Sequence, residues 1–220
     1  MKKLILLLFA GLFLFTLSCK NEPAGEAGEA RDAKAASSEA ISYTVNTQES
    51  DIEWIGSKQT GKHNGTIRLS EGTVLVSEDR VEGGTFIIDM NTIAVTDLKP
   101  GDGKEDLEGH LKGLGQAEGA DHFFNVGKFP TAKFEITNVT LEKGKSTVEG
   151  NLTIKETTKS VKFPAMISVS DNAVSIMSDS FVIDRTQWKV NYGSKSVFTD
   201  LGDKFVNDEI ELRVHVKATR

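Results

Sequence analysis

The chain has 220 residues, a formal net charge of −6 and a single cysteine. An acidic chain without a basic run is a poor match for nucleic acid or for anionic lipid headgroups, and a lone cysteine forms no disulfide within its own chain. The length suits one domain with a sizeable core behind a short leader.

Lys2 and Lys3 precede an apolar run from Leu4 to Leu17 that only Gly11 and Thr16 interrupt. Such a run has the length of a signal-peptide core and is too short to span a bilayer as a permanent helix. It ends at Leu17-Ser18-Cys19. A small residue followed by cysteine at the end of such a core resembles the lipobox of bacterial lipoproteins. That resemblance implies that residues 1–18 are a signal peptide and that the Cys19 sulfur carries lipid. It departs in one place, because Thr16 stands where leucine is usual. The alternative is a secreted protein with a free thiol. Lipidation places the domain in the bacterial cell envelope, anchored to a membrane, in the periplasm or at the cell surface. Residues 19–40 contain no aromatic and no large aliphatic side chain. They cannot bury enough surface to offset ordering entropy, so a flexible linker without contacts to the domain is predicted.

From residue 41 to residue 220 the chain alternates apolar and polar residues with period two. The pattern runs through Tyr43/Val45, Ile52/Trp54, Ile67/Leu69, Val74/Val76 and Phe86/Ile88/Met90. It continues in Phe134/Ile136, Val148, Leu152/Ile154, Val161/Phe163, Phe181/Ile183 and Ile210/Leu212/Val214/Val216. Strands with one apolar face cover a core from one side. Turns are predicted at Ser70–Gly72, Glu82–Gly84, Glu142–Lys145, Lys155–Thr158 and Ser170–Asn172. Strands so spaced, without helices between them, predict an all-β sandwich or barrel. One segment differs: Lys104 to Leu114 carries Leu107, Leu111 and Leu114 at helical spacing, which predicts a short helix across one barrel end.

Several landmarks, in this order and spacing, resemble the YceI family. They include Asp51-Ile-Glu-Trp54, Lys62-His63-Asn-Gly65, His110-Leu111-Lys and Asp121-His-Phe-Phe124 with Phe129-Pro130-Thr-Ala-Lys-Phe134. They continue with Gly150-Asn-Leu152-Thr-Ile154-Lys155, Thr158-Lys-Ser-Val161, Ile183-Asp184-Arg185-Thr-Gln-Trp188 and Asp208-Glu-Ile210-Glu-Leu212. The resemblance covers nearly the whole domain and implies an eight-stranded antiparallel, lipocalin-like barrel. It also implies an apolar interior that holds a polyisoprenoid or similar long apolar chain, quinone-like lipids included, for carriage, storage or stress response. The glycine-rich stretches Pro100–Glu105 and Gly113–Gly119 depart from the family, so a different barrel mouth is expected.

The inward face read from the alternation comprises Trp54, Phe86, Ile88, Met90, Phe134, Ile136, Leu152, Ile154, Phe163, Phe181 and Ile183. No charge alternates into it. A packed core gives the same pattern, so a tethered scaffold or adhesion domain with a dry barrel is the rival of a lipid-binding one. If hollow, these residues wall a single elongated cavity whose ligand keeps its headgroup near His110–Phe124.

No enzyme is expected. Gly56-Ser-Lys-Gln-Thr-Gly61-Lys62-His63 resembles a phosphate-binding loop, but His63 stands where Ser or Thr must reach magnesium, and the segment joins two strands. There is no nucleophile elbow and no haem-attachment motif, and no cofactor is expected. His110, His122 and Asp121 lack a recognised metal-ligand spacing, so no metal site is assigned. His215 alternates outward between Val214 and Val216. Arg185 has two readings, a contact to a headgroup or a structural pairing.

Overall fold

The computed structural model describes residues 27–115 and 122–220. The expected signal peptide, Cys19 and Asp121 lie outside the described residues. The strands are β1 (Gly28–Glu29), β2 (Ile41–Val45), β3 (Asp51–Lys58), β4 (Gly61–Ser77), β5 (Arg80–Val95), β6 (Thr131–Glu142) and β7 (Lys145–Ile154). They continue with β8 (Thr157–Val169), β9 (Ala173–Ser178), β10 (Phe181–Asp184) and β11 (Val206–Thr219), and a helix, α1 (Lys104–Lys112), separates β5 from β6. β3, β4, β5, β6, β7, β8, β9 and β11 pair in that order, and β11 returns to β3. The ring is therefore an eight-stranded antiparallel barrel, as the sequence implied. Closure removes the free edges that an open sheet of this size exposes. β2 and β10 extend β3 and β9 past short breaks, each pairing with β11.

Two of the predicted turns are interior to strands. Ser70–Gly72 lies within the 17 residues of β4, and Glu82–Gly84 within the 16 of β5. Their glycines serve close approach. A Cβ on Gly72 would sit 2.9 Å from Val45 Cγ2, and one on Gly84 would sit 2.7 Å from the Thr73 carbonyl oxygen. The β4–β5 register shifts beside Gly72, between Leu69 and Glu71, so the glycine marks an irregularity where the strands bend over the core. The hairpin turn falls instead at Glu78–Asp79, where φ is 50° and 59°. Two left-handed residues form the tight turn that matches strand twist, here without the glycine that advertises it.

α1 also ends earlier than expected. Gly113 adopts φ 72° and caps the helix, leaving Leu114 outside it and 53% exposed while Leu107 and Leu111 pack on the core. Both backbone groups of Val95, at the end of β5, hold the helix. The Val95 N–H donates to Glu108 Oε1 at 2.8 Å and its carbonyl accepts from Lys104 Nζ, while Lys104 and Glu108 pair at 2.7 Å.

The expected contact-free linker requires correction over its described part. β1 pairs with the edge of β8 at Gly28↔Ser160 and Glu29↔Lys159. The chain then crosses the outside of the barrel. Arg31 N–H donates to Asn151 Oδ1 at 3.0 Å, and Asn151 Nδ2 donates to the Arg31 carbonyl at 2.7 Å. Lys34 N–H donates to the Thr137 carbonyl, and Ser37 N–H to Glu82. Composition misled here because the strap is held by backbone and polar bonds, for which no apolar side chain is needed. The Thr137 carbonyl lies where the β6–β7 register shifts, between Ile136 and Asn138. Asn151→Ala removes two of the strap's bonds. It should lower stability by about 1–2 kcal/mol and the melting temperature by roughly 2–6 °C in calorimetry. An unchanged melting temperature would show that the Asn151 bonds to the strap contribute nothing.

Candidate ligand-binding cavity

Inward side chains of a small barrel stack in layers along its axis. At the α1 end these layers, mostly aliphatic apart from Trp54, leave a cavity of about 700 Å³, within the roughly 300–1,000 Å³ typical of ligand sites. Of the predicted set, Trp54, Ile88, Met90, Leu152, Ile154 and Ile183 line it. Phe86, Phe134, Ile136, Phe163 and Phe181 do not. They surround a separate void of about 60 Å³ one layer deeper, which shares Ile52, Ile88, Leu152 and Leu212 with the cavity above. The expectation of a single elongated cavity walled by these phenylalanines is thus corrected. Their rings fill the barrel at that level, with centroids 6.2 Å apart for Phe86–Phe134, 5.8 Å for Phe134–Phe163 and 4.5 Å for the stacked Phe163–Phe181 pair.

The alternation also marked Ile52, Ile67, Ile210 and Leu212 as inward, and all four line the cavity although none was singled out. Leu107, Leu111, Phe123 and Tyr192 complete the wall. They come from α1 and from loops, where no strand period points to a cavity.

The rim is polar. Lys58, His63, Asp106, Lys204, Asn207 and Glu209 border the opening. His63 Nδ1 lies 2.9 Å from Asp97, which also accepts from the Asn64 N–H at 3.0 Å. Burial pushes the Asp97 carboxyl up, but the Asn64 and His63 bonds outweigh it and hold it below the ordinary carboxylate value.

One buried charge organises this rim. Arg185 is 1% exposed. It donates from Nε to the Asn207 carbonyl at 3.1 Å, from Nη2 to the Val206 carbonyl at 3.1 Å, and from Nη1 to the Val190 carbonyl. Asp208 lies 3.4 Å away and accepts a second bond from Ser196. Val206 N–H closes the base of the loop onto the Gly193 carbonyl at 2.8 Å. Arg185 therefore clamps both stems of the 191–205 loop, as the structural reading expected, and it also borders the cavity. Burial lowers its guanidinium pKa, with Asp208 and Asp184 acting against the shift.

His110, His122 and Tyr192 form a ring cluster beside the rim. The ring centroids are 4.9 Å apart for the two histidines, 4.6 Å for His110–Tyr192 and 4.0 Å for His122–Tyr192. Burial, and then the neighbouring His122, push the His110 imidazole below its ordinary pKa. Among the described residues no group of three metal-ligating side chains converges. His215 is half-buried beside Asp51, with Nδ1 3.3 Å from Oδ1.

A lipocalin-like antiparallel barrel, filled at one end and hollow at the other, is the class of protein these features define. The YceI-like domain family matches residues 43–218, and the chain belongs to that family. Among solved structures it is similar to BcnA of Burkholderia cenocepacia, at 20% identity and a TM-score of 0.59, over 80% of this chain and 99% of that one. It is also similar to a polyisoprenoid binding domain from Saccharophagus degradans implicated in plant cell wall breakdown. There the identity is 11% and the TM-score 0.55, over 80% of this chain and 97% of that one. At these identities both likenesses concern the fold. No curated protein sequence matches the chain.

Replacing Arg185 by Leu leaves three carbonyls and Asp208 without their donor. Chemical denaturation should show a loss of about 3–5 kcal/mol. Arg185→Lys should recover little of it, because a single ammonium does not reproduce the planar fork. A loss below ~1 kcal/mol would remove Arg185 from the role of clamp.

Proposed function

We propose that this protein binds one long apolar lipid of the polyisoprenoid class, tail inward, in the barrel cavity. The observation that carries the reading is the cavity itself: about 700 Å³, walled by Trp54, Met90, Ile154, Ile183 and Leu212, and open at a polar rim. A hydrocarbon tail gains about 0.8 kcal/mol for each methylene removed from water, before ordering and association costs reduce the total. The headgroup stays at the rim, where Lys58, His63, Asp106 and Asn207 supply donors and acceptors, because burying a polar group unpartnered is costly. Membership of the YceI-like family supports this reading, as does the fold shared with a polyisoprenoid binding domain. A scaffold with a dry, filled barrel fits poorly with a cavity of this size. Nothing in the site suggests chemistry on the ligand, and binding is the activity proposed.

Trp54 offers a direct readout, because it lines the cavity while Trp188 is buried and donates to the Leu152 carbonyl at 2.8 Å. Adding geranylgeraniol to delipidated protein should change Trp54 emission saturably at one equivalent. Ile154→Asp, which places a carboxylate on the cavity wall, should abolish the change in a protein that remains folded by circular dichroism. A wild-type protein whose emission ignores the prenol would contradict the reading.

The barrel is further proposed to be tethered to an envelope membrane through lipid on Cys19, on the strength of the signal core that ends there. Several acyl chains at about 0.8 kcal/mol per methylene make such an anchor nearly permanent. Cys19→Ser should move the protein from the membrane fraction to the soluble fraction. Incorporation of labelled fatty acid into that variant would contradict the anchor.

A further inference from the structure

The inward layers change character at one level of the barrel. β5 presents Met90, then Ile88, then Phe86, β6 presents Ala132 and then Phe134, and β10 presents Ile183 and then Phe181. On each strand the residues nearer the rim border the main cavity, and phenylalanine begins the layer below. β8 adds Phe163 at the centre of this row, 5.8 Å from Phe134 and 4.5 Å from Phe181 between ring centroids. The rings border the void of about 60 Å³, whose wall also includes Ile52, Ile88, Leu152 and Leu212 of the cavity and Val148, Val161 and Val216. Space at the level of the phenylalanines is therefore far smaller than in the cavity above them.

We propose that the Phe134–Phe163–Phe181 row is a length stop that sets how many carbons of a bound chain the barrel buries. The proposal rests on the chain-binding reading above and specifies the ligand it selects. With the headgroup retained at the rim, a tail entering the cavity fills it only down to the rings. β3 spans that depth from Lys58 to Ile52, roughly 20 Å of strand at ~3.3 Å per residue, or about 15 Å along the axis at a tilt near 40°. Additional carbons either remain in water at the mouth or must displace a stack in which Phe163 and Phe181 are both buried. Removing the central ring joins the deep void to the cavity. An apolar opening of roughly 150 Å³ in a protein core is enough to take up benzene, so the added room accepts at least one more isoprene unit.

The test is a ladder of all-trans prenols, lengthening from geraniol by one isoprene unit at a time, with Kd measured for each on delipidated full-length protein. Wild-type affinity should rise with length and then level off. In Phe163→Ala the levelling point should move out by at least one isoprene unit, and affinity for the first prenol beyond the wild-type limit should rise roughly tenfold. Ile154→Phe, which adds a ring on β7 two residues nearer the rim than Leu152, the partner of Phe134, should move the limit the other way. If Phe163→Ala does not fold, Phe163→Leu should give a smaller shift in the same direction. A folded Phe163 variant with the wild-type limit, or wild-type affinity that climbs with length without levelling, overturns the length stop. A wild-type protein that binds no prenol overturns the chain-binding reading beneath it.

Discussion

An eight-stranded barrel encloses a space that its own inward side chains are just large enough to fill, and everything else in this structure depends on how that space is divided. Where the layers contain phenylalanine they fill the barrel, and the stacked Phe163–Phe181 pair marks that level. Where they contain Ile, Leu, Met, Ala and Trp54, under α1 and the rim loops, the barrel leaves a cavity of about 700 Å³. The packing of the phenylalanines marks where site gives way to core.

A hollow end needs support that a packed end does not, because wall atoms facing a void lose contacts on one side. The support is polar and lies at the rim. Val95 holds α1 through Lys104 and Glu108, and Arg185 fixes both stems of the 191–205 loop through the carbonyls of Val190, Val206 and Asn207. A buried guanidinium is expensive to desolvate, and its net contribution is favourable only when its donors are satisfied. Here three carbonyls and Asp208 receive them. On the outside, the strap of residues 27–40 links β8, β7, β6 and β5 by hydrogen bonds and by the Arg31–Glu149 and Glu29–Lys159 ion pairs.

The barrel was legible in the sequence because period-two alternation marks the strands of the ring, although its phase slips within β4 and β5. The landmarks from Asp51 to Leu212 led to the family that residues 43–218 match. Three features were hidden for separate physical reasons. Gly72 and Gly84 read as turns because glycine marks both a reversal and a close approach of backbones, and only the packing around them distinguishes the two. The strap read as disordered because backbone hydrogen bonds leave no mark in composition. The division of the interior was invisible because alternation shows that Phe86 and Ile88 share a face and is silent about whether the space before them is filled. Arg185 could be placed near a strand end, but two of its three carbonyl partners, Val206 and Asn207, lie on a segment that only the fold brings to it.

We propose that the hollow half of this barrel exists to be occupied by a lipid chain. Native mass spectrometry of the protein purified from its own cells tests it most directly. The account predicts a species heavier than the polypeptide with its anchor by one discrete apolar lipid, released on denaturation and lost in Ile154→Asp. A single mass equal to that of the anchored polypeptide, unchanged after incubation with prenols, would contradict it.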